Sequence, residues 1–568
     1  MCGISGVFSS YGNPTIEHTV DRMIKSLRHR GPDNIGIWVS ENERCGLGHA
    51  RLSIIDLSPV SNQPMHYLNR YVLVFNGEIY NYLELKEKLI TIGYDFHTDS
   101  DAEVVLALYD YKGEKCVADF DGMFSFLLYD KTNDELFGAR DRFGEKPFYY
   151  HKSSDTLYVA SEVKAIKAVS STVQLDLEAI QDYLNGNGLT SSERTYFSGI
   201  ETLPPAHYFF FRRGTMDIKR YWSLSPNKQI NRISDIDAID QFDYLLRKSI
   251  RLRLRADVPV GCSLSGGLDS SVLAANLHEF ADAPLPTFSA RFNSNLDEGP
   301  WVSKLTEKLS LPNTQVWPDA NGFISELDKL TWHHEFPVRS GSVYAQWCVM
   351  RLAKNHGIKV MLDGQGADEY LAGYDELKYY VVWAYYRKFK LVSYLRERRY
   401  FKKTFGAGTS LGLKHLMDPV LMTFGFRRSI YDNGESLRDQ SCYYLSEKLG
   451  ELLRFADRNS MAHGVEVRLP YLSAELIEFT LSLNESLIYR NGKSKYILRE
   501  ANKNRLPPET YYRTDKIGFV APDQKWGADS LADDLFRTSF LQLEQLGLRP
   551  CSSKFRIITA GALIRQFY

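Results

Sequence analysis

Along the first two hundred residues, short apolar runs alternate with polar breaks. Val72–Phe75, Met123–Leu128, Pro147–Tyr150 and Thr156–Ala160 are rich in β-branched and aromatic side chains and bounded by Gly, Asp and Asn, which predicts strands. Helical spacing interrupts them near Ile16–Leu27, Tyr82–Leu89 and Asp101–Tyr111, so an α+β layered domain is expected. A polar segment from Ser223 to Asp235, with Pro226 and Asn227, reads as a linker. Beyond it the rhythm changes. Strand-like Val258–Ser265, Pro286–Phe292, Thr314–Trp317 and Ile358–Leu362 alternate with helical stretches at 269–280, 298–309 and 342–356, which predicts βαβ units and a parallel sheet. From about residue 374 the pattern is mainly helical. Between Tyr379 and Phe405, Lys and Arg alternate with Tyr, Trp and Leu without a run of like charge, the mark of amphipathic helices rather than of a nucleic-acid surface. The expected division is residues 2–222, a linker at 223–235, and residues 236–568.

Composition narrows the class. A chain of 568 residues is too long for one ordinary core. Charged residues at 24% and hydrophobic residues at 44% have the balance of a soluble globular protein, and a formal net charge of −1 supplies no field for nucleic acid or an anionic membrane. No stretch approaches the ~18 uncharged apolar residues of a membrane span. The amino terminus lacks the basic start and apolar run of a secretory signal. Seven scattered cysteines without a Cys-x-x-Cys pair argue against a disulfide framework and a structural zinc site. A reduced, cytoplasmic protein with neither nucleic-acid nor membrane partners is expected.

Chemistry enters at the second residue. Once Met1 is removed, Cys2 carries a thiol and an α-amino group with an ordinary pKa of about 7.7–8.0, so one residue can hold both nucleophile and base. Asn76-Gly77, between two apolar runs, predicts a tight hairpin turn, on which the Asn amide and the Gly N–H could serve as two donors to an oxyanion. Ser100-Asp101-Ala102-Glu103 reads as a capping box opening a helix, and His29–Asp33 as a turn. Arg51 by itself reads as a surface or salt-bridged residue.

In the order Cys2-Gly3-Ile4, His29–Asp33, Arg51, Asn76-Gly77-Glu78 and Ser100-Asp101, these segments resemble the glutaminase domain of class II glutamine amidotransferases. The resemblance spans roughly the first 210 residues. It implies the N-terminal-nucleophile fold, an αββα stack. Cys2 would attack the side-chain amide of glutamine, with Asn76 and the Gly77 N–H holding the oxyanion. Arg51 would bind the α-carboxylate, and Glu78 and Asp101 the α-ammonium, since a zwitterion needs anchors of both signs.

The segment 258–271 runs from an apolar strand through Ser265, Gly266 and Gly267 into a helix near Asp269, Ser270 and Ser271. Successive N–H groups at such a helix start form an anion cradle, and no Lys follows the glycines as a P-loop would require. A second loop, Asp363–Glu369, follows the strand 358–362 and carries Gly364 and Asp368. Asp269 and Asp368 would both lie beyond carboxyl ends of parallel strands, where two carboxylates can hold Mg²⁺ between the phosphates of ATP. The first loop resembles the pyrophosphate loop of the ATP pyrophosphatases. The two halves in this order resemble glutamine-hydrolysing asparagine synthetases, nearly end to end. The segment Asp457–Tyr471 matches that family's pattern too, as does Lys516, which the resemblance places near the adenylate.

The resemblance therefore implies a ligase. Ammonia from glutamine passes internally to a second site, where a carboxylate adenylated by ATP, most simply aspartate, becomes an amide with release of AMP and pyrophosphate. A homodimer is the expected assembly. One position departs from the pattern. The family's second loop usually reads Ser-Gly-Glu-Gly-Ser-Asp-Glu, whereas here Gln365 replaces the first Glu and cannot take a proton as a carboxylate does. Its role is vacant, or passes to Asp363 or Glu369. Family members with Gln here include enzymes thought to amidate other carboxylates, such as uronic acid sugars. A non-enzymatic descendant would have lost Cys2, Asn76, Asp269 or Asp368, and a lactam-forming relative could dispense with Cys2. All four are present.

Overall fold

The computed structural model describes the chain except residues 1, 190–192, 228–232, 281–283, 295–296, 388–389, 406–435, 515–520, 523–525 and 527–531. Its first part is two stacked six-stranded sheets. The first sheet has the spatial order Glu201–Thr202, Tyr149–Ser153, Thr156–Ala160, Gly3–Ser9, Cys45–Arg51, Asn34–Val39. The second runs Thr215–Arg220, His207–Arg212, Glu135–Arg140, Gly122–Asp130, Tyr71–Ile79, Met65–Tyr67. Their strands pair antiparallel. Alternate side chains from the two inner faces, among them Ile4, Phe8, Leu47, Val72, Val74 and Leu127, are fully buried against one another. Helices Tyr82–Thr91 and Asp101–Lys112 cover the outer face of the second sheet, and Ile16–Lys25 with Leu177–Leu184 that of the first. This is the expected αββα stack.

The neighbouring strands Gly3–Ser9 and Cys45–Arg51 escape a propensity reading because glycine is poor in strands. The requirement is steric. A Cβ on Gly48 would lie 2.9 Å from Val20 Cγ1 of the covering helix, and one on Gly6 would lie 2.4 Å from Leu127 of the opposite sheet. The sheets and their helix sit too close for side chains there.

The second part holds a five-stranded, all-parallel sheet in the order Asn313–Val316, Thr287–Ala290, Val260–Ser263, Val360–Leu362, Glu466–Arg468. The helices Leu268–Phe280, Gly299–Leu309 and Gly341–Asn355 form within two residues of the expected positions. Helices Asp375–Arg387 and Leu391–Phe405 match the amphipathic reading, with Tyr380, Tyr385 and Tyr394 buried and Leu391 and Val392 exposed. The edge strand Glu466–Arg468, only three residues long inside the 457–471 segment, has no signature in the sequence pattern. Among the described residues no helix is long and apolar enough to cross a membrane.

The two parts share a core. Leu52, Ile54, Ile55, Tyr80, Met123 and Phe143 of the first belong to the same buried cluster as Leu246, Cys262 and Tyr471 of the second.

Candidate active sites

Cys2 is buried immediately before the strand Gly3–Ser9. Its backbone N–H donates to Asn76 Oδ1 at 3.0 Å, and its carbonyl accepts from Arg30 Nε at 3.0 Å. Burial pushes the thiol pKa up, as it does for the buried Cys45 and Cys116. What sets Cys2 apart is therefore its fixed backbone and its neighbours, and a resting thiol needs a local base.

Asn76-Gly77 is not a turn. Both residues lie inside the strand Tyr71–Ile79, opposite Ser125 and Phe124. The glycine answers to crowding: a Cβ there would stand 2.1 Å from Met123 O and 2.6 Å from Phe124 Cα. Asn76 Nδ2 donates to Ser125 Oγ at 3.4 Å, which leaves its second N–H for another acceptor. A strand bedded between two others is a stiffer mount for donors than the expected hairpin.

Arg51, also buried, ends the strand Cys45–Arg51. It donates to Ser58 O and Asn62 Oδ1 at 2.8 Å each and to Asp56 O. Three of its five donors are thus fixed by the loop it faces, and two remain. The surface reading of this residue is overturned.

Glu78 and Asp101 are buried carboxylates. Asp101 Oδ2 accepts from the Ile79 N–H at 2.9 Å, which ties the start of its helix to the strand of Glu78. Burial raises the Asp101 pKa to about 6. Burial also raises that of Glu78, with Glu466 and Asp101 adding repulsion. The Oε2 of Glu78 has no hydrogen-bond partner. Beside these two buried carboxylates the nearest cation among the described residues is Arg468, whose Nη2 lies 3.4 Å from Glu78 Oε1, and the unmet Glu78 Oε2 leaves room for a second. The expected capping box is only half formed. Ser100 Oγ accepts from the Ala102 N–H, whereas Glu103 turns away from the cap to accept from the His97 and Thr98 N–H groups.

Arg30, read as part of a turn, is fully buried. It forks Asp457 at 2.8 and 3.0 Å and pairs with Glu162 at 2.7 Å. The segment His29–Asp33 marked its neighbourhood, but not its partner 427 residues away.

At the carboxyl ends of the parallel strands lies a cavity of about 330 Å³. Ser265, Gly267, Asp269, Ser270, Gly364 and Asp368 line it, with Leu264, Phe288 and Val349 as an apolar wall. The loop is braced internally: Ser265 Oγ stands 3.0 Å from Ser270 Oγ and accepts from the Gly267 N–H at 3.3 Å. Gly266 has φ +83°, and its carbonyl accepts from Arg513. Ser271, by contrast, is fully buried and off the lining. The two loops touch, since a Cβ on Gly364 would meet the Ser270 nitrogen at 3.0 Å.

Asp269 and Asp368 are brought together, and Lys495 lies between them. Its Nζ pairs with Asp368 Oδ1 at 2.6 Å and with Asp269 Oδ2. Burial alone would lower the Lys495 pKa, and the two carboxylates reverse that and raise it. Lys495 holds a left-handed φ of +56°, pinned by its N–H to Leu371 O at 3.0 Å. No sequence signal singles it out from Lys493. Paired hard oxygen ligands facing a phosphate-sized loop, already stabilising one cation, fit Mg²⁺.

Gln365 lines the cavity, and its buried Oε1 makes no hydrogen bond. Of the two carboxylates that could replace the missing Glu, Asp363 lines the same cavity, with its pKa raised by burial. Glu369 lies off the lining, accepting from Tyr374 Oη at 2.8 Å. Lys516 lies outside the described residues.

Comparison with known proteins gives a family match for each half of the chain. Residues 1–222 match the family model described as a glutamine amidotransferase domain, and residues 241–554 that described as asparagine synthase. Asparagine synthetase [glutamine-hydrolyzing] 1 of Bacillus subtilis (strain 168) is 30% identical over 93% of this chain and 88% of its own length. Putative asparagine synthetase [glutamine-hydrolyzing] 2 of Methanocaldococcus jannaschii is 34% identical over 66% of this chain and 76% of its own. Amidase chry2 of Gibberella zeae is 27% identical over 93% of this chain and 90% of its own.

Proposed function

Since the chain belongs to the glutamine-hydrolysing asparagine synthetase family, a family of ATP-using, glutamine-dependent amidotransferases, we propose that it amidates aspartate to asparagine with ammonia released at Cys2. The observation that carries this reading is the juxtaposition in the first half: Cys2 N–H on Asn76 Oδ1 at 3.0 Å, beside the buried carboxylates Glu78 and Asp101.

The α-ammonium of glutamine meets Glu78 and Asp101, and its α-carboxylate meets the two uncommitted N–H groups of Arg51. With Met1 removed, the α-amine of Cys2 takes the thiol proton and the thiolate attacks the side-chain amide carbon. The spare N–H of Asn76 and the Gly77 N–H then face the oxyanion. The amine returns the proton to the leaving nitrogen, ammonia departs, and water releases glutamate from the thioester. The domains taking part are residues 2–222 and 236–568, joined by 223–235.

In the second half, the loop from Ser265 to Ser270 cradles the phosphates of ATP, and Leu264, Phe288 and Val349 face its base. Asp269 and Asp368 would hold Mg²⁺, which when bound neutralises phosphate charge during pyrophosphate departure. Lys495, and Lys516 by the family resemblance, supply positive charge beside the developing adenylate. The acceptor carboxylate attacks the α-phosphate, pyrophosphate leaves, and ammonia displaces AMP from the acyl group. Ammonia passes between the sites within the molecule, whose two parts pack on one buried cluster.

Gln365 supports a second reading of the acceptor. Its amide cannot accept a proton from attacking ammonia, and the amidases among the relatives suggest carboxylates other than aspartate. A uronic acid sugar is the alternative. Pyrophosphate release with ATP, glutamine and a panel of acids tests the choice. Aspartate-dependent release supports asparagine synthesis. Silence with aspartate but release with a uronic acid overturns that acceptor and leaves the ligase standing.

A further inference from the structure

The strand Glu466–Arg468 belongs to the parallel sheet of the second half, yet its side chains enter the glutamine site. Arg468 is fully buried. Its Nε donates to Glu466 Oε1 at 2.6 Å, and its Nη1 to the carbonyls of Arg253 and Arg255 at 2.9 and 2.6 Å. Its remaining nitrogen, Nη2, lies 3.4 Å from Glu78 Oε1 and makes no hydrogen bond. Glu78 Oε2 has none either. The pair faces itself without closing.

The charges show why such a residue is needed. Glu78, Asp101 and Glu466 are three buried carboxylates, and Glu466 raises the pKa of the other two and of the Cys2 thiol. Arg468 is their buried guanidinium. It opposes burial and Glu466, which still leave the Glu78 and Asp101 pKa values raised. An ammonium anchor works only while it is charged. The same residue also touches the other site, because the Asp363 N–H that opens the acceptor loop donates to Arg468 O at 3.0 Å.

We infer that Arg468, supplied by the synthetase half, is a positioning residue of the glutamine site: its guanidinium holds Glu78 aimed at the α-ammonium of glutamine while its backbone holds the acceptor loop. The glutaminase is then a composite of both halves. This rests on the assignment of Glu78 as an ammonium anchor.

The test is glutamate release from glutamine by the full-length protein without ATP, with KM and kcat measured separately. Arg468→Met is expected to raise KM for glutamine roughly 10- to 100-fold, the range of one charge-assisted contact, with kcat changed far less. Arg468→Lys, which keeps the charge and loses the fork, should recover part of that loss. The decisive comparison is a double-mutant cycle with Glu78→Gln. If Arg468 acts through Glu78, Arg468→Met adds little to KM once Glu78 is neutral. Additive effects, or an unchanged KM in a folded Arg468→Met protein, would overturn the inference. Should Arg468→Met not fold, Arg468→Lys decides in the same cycle: an unchanged KM overturns the inference, and a raised KM whose increment vanishes on the Glu78→Gln background supports it. If Glu78→Gln by itself leaves KM unchanged, the anchor assignment fails instead.

Discussion

A thiol whose pKa is raised by burial, on the residue that carries the α-amine, makes the proposed nucleophile Cys2 depend on its own terminus. Cys2→Ala should therefore abolish glutamine-dependent turnover while ammonium salts still support it, since the second site is intact. Retained glutamine-dependent product would refute the nucleophile. The proposed ammonium anchors give a pH signature. Burial lifts the Asp101 pKa to about 6, so its carboxylate is protonated as pH falls through that value and the site loses a negative charge. The KM for glutamine should rise below about pH 6, by up to about tenfold per unit. Asp101→Asn should start from a high KM and flatten the profile. A KM that is flat from pH 7 to 5 in the unmodified protein would contradict the role. At the second site, Asp269→Asn should suppress ATP–pyrophosphate exchange, and undiminished exchange would remove Asp269 from the metal site.

Among the elements, the strand Tyr71–Ile79 is the most instructive. Asn76-Gly77, the proposed oxyanion pair, was misread as a turn because Asn-Gly is a strong local turn signal, and tertiary pairing with Ser125 and Phe124 overrides it. Gly77→Ala would drive a Cβ into Met123 O and should destabilise the domain by roughly 1–3 kcal/mol in chemical denaturation. An Ala variant of unchanged stability would mean that the strands can part there at no cost. Long periodic helices and β-branched runs were readable within a few residues. The Gly-rich strands Gly3–Ser9 and Cys45–Arg51 were not, because their glycines serve close packing against Val20 and Leu127, contacts invisible to a local pattern. The glycine loop Ser265–Ser270 was legible as a strand-to-helix turn at a strand's carboxyl end, because its backbone is set locally, although Ser271 falls off the cavity it lines. Lys495, Arg30 and Arg468 were not, since each owes its role to partners far away in the chain.

The whole molecule is welded by charge as well as by apolar contact. Arg30 joins the Cys2 carbonyl to Asp457, and Arg458 pairs with Glu162 and Glu335 at 2.7 Å, all of them buried. Breaking a buried pair by removing one partner strands the other, so Arg30→Met should cost about 3–5 kcal/mol and lower glutaminase activity together with stability. The interface thus fixes the backbone of Cys2 with a residue of the second half, which fits the proposed sharing of ammonia between two sites. The most direct test of that union is transfer of the amide nitrogen itself. Nitrogen-15 amide-labelled glutamine is supplied with ATP, aspartate and an excess of unlabelled ammonium. The product amide should carry the label with one pyrophosphate released per amide formed, and Cys2→Ala should give only unlabelled amide. A product that takes its nitrogen from the bulk ammonium in the unmodified enzyme, or label transferred by Cys2→Ala, would contradict a coupled two-site ligase.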